Sequence, residues 1–424
     1  MSCEDLNEDQ NMALEYVKAG KNVFLTGPAG TGKTFTLNKI IEWAKEKKNM
    51  AVTATTGCAA ILIGGQTLHS YLMIGLGKKS AEVLYKYMDA YTVNRLKKLN
   101  FLIIDEISML NNDMFTKVSH LFCMIKRSRE PFGGMQVLVS GDFCQLPPVE
   151  PDYAFLSEEW NRTDFKMVYL TQSFRQIGDT RLFELLQRAR WGKPSQEDID
   201  ILYDIRDNPP DDGEIKPTKL YSLNADVDRV NLTEYQKLVN EGCESMDYSS
   251  KYSCNEAKEW ADSCNVPGIV RVCEGCQVVL TRNLDAEDGL VNGSRGIVLK
   301  VEKDGPIVKF KNGITLKIGY AKDVVEDHKP KKEKEDEKKG LKDGEKSAVI
   351  FYLPLRLAYA LTIHKSQGMT LDCVEIDLGP SIFSPGQAYT ALSRAKNLKS
   401  IYLTRFIPSS FKTDPEVVRF YRDV

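Results

Sequence analysis

The chain lacks any apolar run near the roughly 18 residues that a membrane-crossing helix needs. Its first residues, MSCEDLNEDQ, are acidic. They contain neither the apolar stretch of a secretory signal nor the Arg-rich pattern of an organelle transit peptide. Neither charge is in excess, since 57 Lys and Arg stand against 59 Asp and Glu, for a formal net charge of −2. With no global positive field, any polyanionic partner must be met by a local groove. Histidine is scarce, at four in 424 residues. The ten cysteines, with no signal sequence ahead of them, read as reduced thiols rather than a disulfide framework. Neither a membrane span nor a disulfide-stapled secreted scaffold is expected. The expectation is a soluble intracellular protein, cytoplasmic or nuclear, without a targeting signal.

What is present is ordinary globular composition, with 42% hydrophobic and 27% charged residues. The length predicts about two to four domains. The most specific stretch is KNVFLTGPAGTGKTFTLNKIIEWAKE, from Lys21. Residues Gly27 to Thr34 read GPAGTGKT, a match to the P-loop pattern, between a strand-like NVFLT and an amphipathic helical stretch. The chemistry explains the spacing. Gly27, Gly30 and Gly32 let the backbone curl so that N–H groups, including that of Thr31, point at phosphate oxygens. The following helix adds its N-terminal dipole. Lys33 supplies a point charge for the β- and γ-phosphates, and Thr34 offers a hydroxyl to Mg²⁺.

Short apolar strands then alternate with helical segments, as in MAVTATTGCAA, LNFLIIDEISML and FGGMQVLVSGDFCQLPPV. That alternation predicts an α/β fold with a parallel sheet covered by helices. Asp105 and Glu106 close an apolar strand and so belong at the carboxyl edge of the sheet, where open α/β sheets bind ligands. Asp105 is placed to hold Mg²⁺, and Glu106 to orient or deprotonate an attacking water. Gln145 suits a γ-phosphate sensor. Arg175 in QSFRQ and Arg394 in ALSRAK are candidate arginine fingers, whose forks match the charge of a phosphoryl transition state.

A second α/β series runs from about residue 181, through TKLYSLN, CQVVLTRN, CVEIDLG and SIYLTRF. Inside it, VNGSRGIVLKVEKDGPIVKFKNGITLKIGY alternates tightly around Asn-Gly and Asp-Gly turns, which predicts a small antiparallel unit. The mixed-charge HKPKKEKEDEKKGLKDGEK that follows reads as a solvated loop at about 328–346. Cys273 and Cys276 in CEGC have metal-ligand spacing. A zinc site needs four well-placed ligands, and no second CxxC is present, so ordinary thiols are expected.

In order along the chain, LNEDQ, GPAGTGKT, TATTGCAA with TLHS, DEISML, GDFCQLPPV, LTQSFRQ, LTIHKSQGMTLD and GQAYTALSRAKN resemble the motifs of superfamily-one helicases. The branch they resemble is that of the petite-integration-frequency (Pif) DNA helicases and their RecD relatives. The resemblance implies two RecA-like lobes, 1–180 and 181–424. It places an inserted wedge near 70–95 and an SH3-like β insertion at 293–350. It further implies ATP and Mg²⁺, action on single-stranded DNA and single/double-strand junctions, and 5′-to-3′ movement; activity as a monomer, away from membranes, is expected. On the matching motifs, Gln10 reads adenine, while Thr55, Thr56, Gly57, His69, Thr362, His364 and Lys365 face DNA. Threonine hydroxyls and glycine amides suit phosphate oxygens, and histidines suit stacking or phosphate. Phe143 has two readings, base stacking and core packing.

Two other function classes compete with a complete helicase. One is a nucleotide-gated single-strand-binding subunit of a larger RecD-like machine. The other is an RNA helicase, which would need 2′-OH recognition that nothing in the sequence signals.

Overall fold

A computed structural model describes residues 6–75, 77–149, 152–176, 178–208, 215–285, 288–325 and 348–423. The chain resolves into two compact units. One comprises Met1–Asp211, Lys219–Ser222 and Thr362–Val424; the other comprises Asp212–Thr218 and Leu223–Leu361. Among the described residues no helix is long and apolar enough to cross a membrane.

The first unit is built on a six-stranded sheet of β1 (Val23–Thr26), β2 (Met50–Ala54), β3 (Gln66–Thr67), β4 (Phe101–Asp105), β5 (Gln136–Ser140) and β6 (Lys166–Tyr169), in the order β3-β2-β4-β5-β1-β6. Every pairing is parallel. The strand sequences explain this. VFLT, FLIID and QVLVS are buried at every position, as strands covered on both faces must be. Parallel strands share one carboxyl edge. The loops that leave β1, β4 and β5 there are Gly27–Thr34, Asp105–Glu106 and Asp142–Gln145.

The same unit contains the parallel pair Val374–Leu378 and Ile401–Phe406, and the helices Gln387–Leu392 and Pro415–Asp423. The last helix sends Phe420 against Phe155, stacked at 4.3 Å, and Tyr421 toward Thr26. The position near residue 180, where a lobe boundary was expected, lies inside this unit. Helix Thr180–Arg190 carries Arg190 into a fully buried pair with Asp142 of the first sheet, and Thr362–Val424 packs into the same unit. Three helices, Leu68–Leu72, Ala81–Tyr87 and Ala90–Lys98, fill the span between β3 and β4 where the wedge was expected.

The second unit is antiparallel. Its five-stranded sheet runs Thr315–Lys317, Ile307–Phe310, Arg295–Lys300, Gln277–Leu280, Leu355–Leu357. The first three of these are the strands expected from tight alternation. Gly313, in the Asn-Gly turn between two of them, has φ of 89°, a conformation that costs glycine least. Val278, Leu280, Val298, Val308 and Leu355 form the apolar core. The charged stretch at 328–346 lies outside the described residues.

Candidate nucleotide site and nucleic-acid face

The turn after β1 delivers its glycines in left-handed conformation and opens the helix Lys33–Ala44 at Gly32, φ 84°, with no side chain capping it. The first amides of that helix are thus free to receive an anion. Lys33 Nζ donates to the carbonyls of Gly27 and Pro28, at 2.8 and 2.9 Å. Burial pulls its pKa down, while Asp142, Glu106 and Asp105 pull it back up.

Asp105 ends β4 almost fully buried, accepting the Glu106 N–H at 2.9 Å. Burial raises its pKa. Glu106 sits at φ 54°, strained for a residue with a side chain. Thr55 holds it there. The Thr55 hydroxyl donates to the Glu106 carbonyl at 2.8 Å, and the Thr55 amide to that of Asp105 at 3.1 Å. Burial, with neighbouring Asp105 second, pushes the Glu106 carboxyl up to about 7. A carboxylate with that value is matched to proton abstraction near neutral pH.

Arg175 and Arg394 converge from two further segments. Arg175 donates to Thr370 Oγ1 at 2.9 Å and to the Ser393 carbonyl at 2.7 Å. Arg394 is buried and donates to the Thr390 carbonyl at 2.9 Å and Ser393 Oγ at 2.7 Å. Both forks rest on neutral oxygens. Burial lowers the pKa of each, and in Arg175 the charge of Arg394 adds to the effect. A buried and a half-buried cation, held by neutral groups, favour an arriving anion.

Lys33, Thr34, Glu106, Gln145, Arg175 and Arg394 therefore line one cleft of about 280 Å³, with Gly30, Gly32 and Phe174. Gln10 stands at its edge. Its Oε1 accepts the Asn7 N–H, and its buried Nε2 has no partner among the described residues, 2.8 Å from where a Cβ on Gly32 would lie. An orphaned amide nitrogen against the P-loop fits the edge of a base, and the loop, acid pair and arginines fit a nucleoside triphosphate. Thr34 and Asp105 fit Mg²⁺ as oxygen donors beside phosphate.

Sequence reasoning missed three residues. Gln367, buried, donates to Glu106 Oε2 at 2.8 Å and approaches Gln145 Oε1 at 3.4 Å, joining base and sensor. It lies within HKSQG, but a neutral side chain two residues past a Lys carries no local mark. Phe174, 42% exposed, flanks Gly32 beside Gln10, and is an aromatic surface at the cleft. Tyr389 touches the P-loop itself.

Of the residues expected to face DNA, Thr56 caps the helix Gly57–Leu62, and Gly57 begins it, buried. His69 is half-buried, its pKa lowered first by burial and then by Lys117. Thr362 is buried and caps Lys365 N–H at 3.0 Å. His364 is half-buried, and burial lowers its pKa. Phe143 is corrected. It is 1% exposed and packs among Phe24, Phe155, Trp160 and Phe420, at ring separations of 5.5, 4.8, 5.7 and 5.5 Å. A ring enclosed by four others has no face left for a base. Cys273 and Cys276 are both buried, with the Cys273 N–H on Cys276 Sγ at 3.4 Å.

A parallel sheet whose carboxyl edge carries a P-loop and an acid pair, with two arginines brought to the same cleft from other segments, defines the class, a RecA-like P-loop protein. The PIF1-like helicase profile matches residues 5–198, and the profile for the DNA helicase Pif1 2B domain matches 259–301. The ATP-dependent DNA helicase Pif1 of Bdellovibrio bacteriovorus is 33% identical over 99% of this chain and 92% of its own length. The ATP-dependent DNA helicase PIF1 of Xenopus laevis is 36% identical over 99% of this chain, which spans 64% of that relative's length. A Pif1 helicase from Bacteroides, solved with ADP-AlF3 and single-stranded DNA, superposes with a TM-score of 0.67 at 30% identity, covering 99% of this chain and 97% of the other. The chain belongs to the PIF1-like helicase family.

Proposed function

We propose that the chain is an ATP-dependent DNA helicase motor that moves 5′ to 3′ on single-stranded DNA and opens duplex or structured DNA ahead of it. The observation that carries the reading is the convergence of Lys33, Thr34, Glu106, Gln145, Arg175 and Arg394 in one cleft. Lys33 and the amides of the P-loop grip the β- and γ-phosphates of ATP. Mg²⁺, when bound through Thr34 and Asp105, supplies charge neutralisation on the phosphate oxygens. Glu106 takes the proton of the attacking water, and Gln367 holds the carboxylate in place. Gln145 reports the γ-phosphate. Arg175 and Arg394 stabilise the charge that spreads over the transferring group. Gln10 reads the base edge, and Phe174 offers it a face.

The DNA side is assigned to Thr55, Thr56, Gly57, His69, Thr362, His364 and Lys365. One bond supports communication with the cleft, because the Thr55 hydroxyl grips the carbonyl of Glu106. A shift of the TATTG loop on binding DNA moves the base directly. The helices near 70–95 act as the wedge, the antiparallel strands from 293 act as an SH3-like unit, and the lobes divide near 180. The motor works as a monomer.

The test is ATP hydrolysis with and without single-stranded DNA or RNA, followed by unwinding of duplexes with 5′ or 3′ overhangs. Many-fold stimulation by DNA and unwinding from the 5′ overhang are expected. Hydrolysis indifferent to nucleic acid sinks the motor. ATP-dependent DNA binding without unwinding by the purified chain identifies a RecD-like subunit instead.

A further inference from the structure

The mechanism above leaves one buried cluster without a task. Asp142 and Arg190 are both fully buried and paired. Arg190 Nε reaches the two carboxylate oxygens at 3.2 and 3.1 Å, Nη2 reaches Oδ1 at 2.8 Å, and Nη1 donates to the Tyr169 hydroxyl at 2.8 Å. Two more phenols complete the site. Tyr389 lies 3.3 Å from Asp142 Oδ2, and Tyr421 lies 3.4 Å from Oδ1. A buried ion pair of this kind adds little stability over apolar packing. Its geometry is what it contributes.

Counting protons orders the cluster. A phenol has one hydrogen, and here the carboxylate receives it. Each phenol oxygen is then left to accept. Tyr421 accepts the Phe143 N–H at 3.2 Å and, by the same count, the Thr26 hydroxyl at 2.7 Å. Tyr389 accepts the N–H of Ala29, at 2.8 Å, inside the P-loop itself.

Tyr389 lies on the helix Gln387–Leu392, which leads straight into Arg394. That helix starts at Gly386, φ 74°, where a Cβ would sit 2.0 Å from the Gln145 carbonyl oxygen. One short element thus touches the P-loop amide and the sensor glutamine, and carries the arginine. We propose that Tyr389 is a positioning residue. Its hydroxyl keeps the Ala29 amide in register with the helix that bears Arg394, so that the γ-phosphate end of the P-loop and the arginine reach the nucleotide together. The proposal rests on the hydrolytic reading of the cleft.

The test is Tyr389→Phe, with Tyr421→Phe as a second probe of the same cluster. Two measurements are made on the full chain. One is amide hydrogen exchange in the segment 24–34; the other is steady-state ATP hydrolysis, with and without single-stranded DNA. Tyr389→Phe is expected to raise exchange at Ala29 several-fold and to lower kcat about tenfold, with KM for ATP within about twofold. Tyr421→Phe is expected to leave exchange at Ala29 unchanged and to lower kcat less. Unchanged exchange in Tyr389→Phe overturns the clamp whatever turnover does. Faster exchange with unchanged kcat, or with a change in KM alone, overturns the positioning role. If wild-type hydrolysis ignores DNA, the helicase reading falls, and Tyr389 is judged on exchange and on DNA-free turnover.

Discussion

The two units differ in what they bury. Among the described residues, the first unit buries Asp105, Asp142, Glu159, Arg190, Asp198 and Arg394, while the second buries Arg295 alone of its charged residues. The second has a core of Val, Leu, Ile and Cys with a Tyr hydroxyl tied to a carbonyl. Burying charge is expensive, so a fold that does so repeatedly, and brings Asp105 and Arg394 to the nucleotide cleft, is organised around something other than its own stability. The antiparallel unit has the simpler composition of a scaffold. Substitutions in the first unit should therefore remove turnover while leaving the fold standing, and substitutions in the second should do the opposite.

The largest effect expected is on catalysis. Lys33→Ala should abolish measurable hydrolysis, and Arg394→Ala should cost about 10³-fold or more in kcat with little change in nucleotide affinity. Steady-state assays beside a nucleotide-binding titration check both. A loss of affinity equal to the loss in kcat would show that Arg394 grips ground state and transition state alike. In the second unit, Leu280→Ala should cost about 2–5 kcal/mol of stability, read by denaturant unfolding, while kcat per folded molecule stays near wild type. A collapse of kcat there would erase the distinction between the units.

Glu106 sharpens the comparison through pH. Its folded pKa, about 7, is raised above the ordinary carboxylate value. A raised value means that the folded state holds the proton more tightly. The stability linked to Glu106 is thus fully present below the unfolded pKa and is lost as pH rises through about 7. Glu106→Gln, which cannot ionise, should be more stable than wild type by on the order of 1–3 kcal/mol at pH 8 and little different at pH 4. Thermal or denaturant unfolding at the two pH values measures this. The activity limb runs the other way, with wild-type hydrolysis climbing as pH rises through the same range, because the base must be deprotonated. The smallest effect expected is on DNA affinity in Phe143→Leu. It should lose about 1 kcal/mol of stability as the aromatic cluster repacks, with DNA affinity unchanged within twofold. A clear loss of affinity would return Phe143 to the DNA face.

Legibility in the sequence followed the range of the interactions. The P-loop, Asp105 and Glu106 are set by strand–loop–helix order over a few residues, and the structure holds them where that order places them. The antiparallel strands around Gly313 are equally local, because alternation and turn residues sit side by side in the chain. Gln367 was not legible, since its partners Glu106 and Gln145 are 261 and 222 residues away. Phe143 stood in a functional motif, and nothing local showed that Phe155, Trp160 and Phe420 would enclose it.

By itself the sequence determined the class of chemistry, because phosphate cradling, metal holding and strand-end acids depend on residue type at short spacing. It also determined the alternation of buried strands and amphipathic helices, because those periodicities are properties of the local backbone. Only the tertiary structure decided which residues share a cleft. Arg175 and Arg394 lie 219 residues apart, yet the Arg175 fork rests on the Ser393 carbonyl beside Arg394. It alone tied Tyr389 to the P-loop and sealed Asp142 with Arg190. The physical reason is that burial and desolvation depend on the whole packed chain, and those two effects raise the Glu106 pKa and lower those of Arg175 and Arg394.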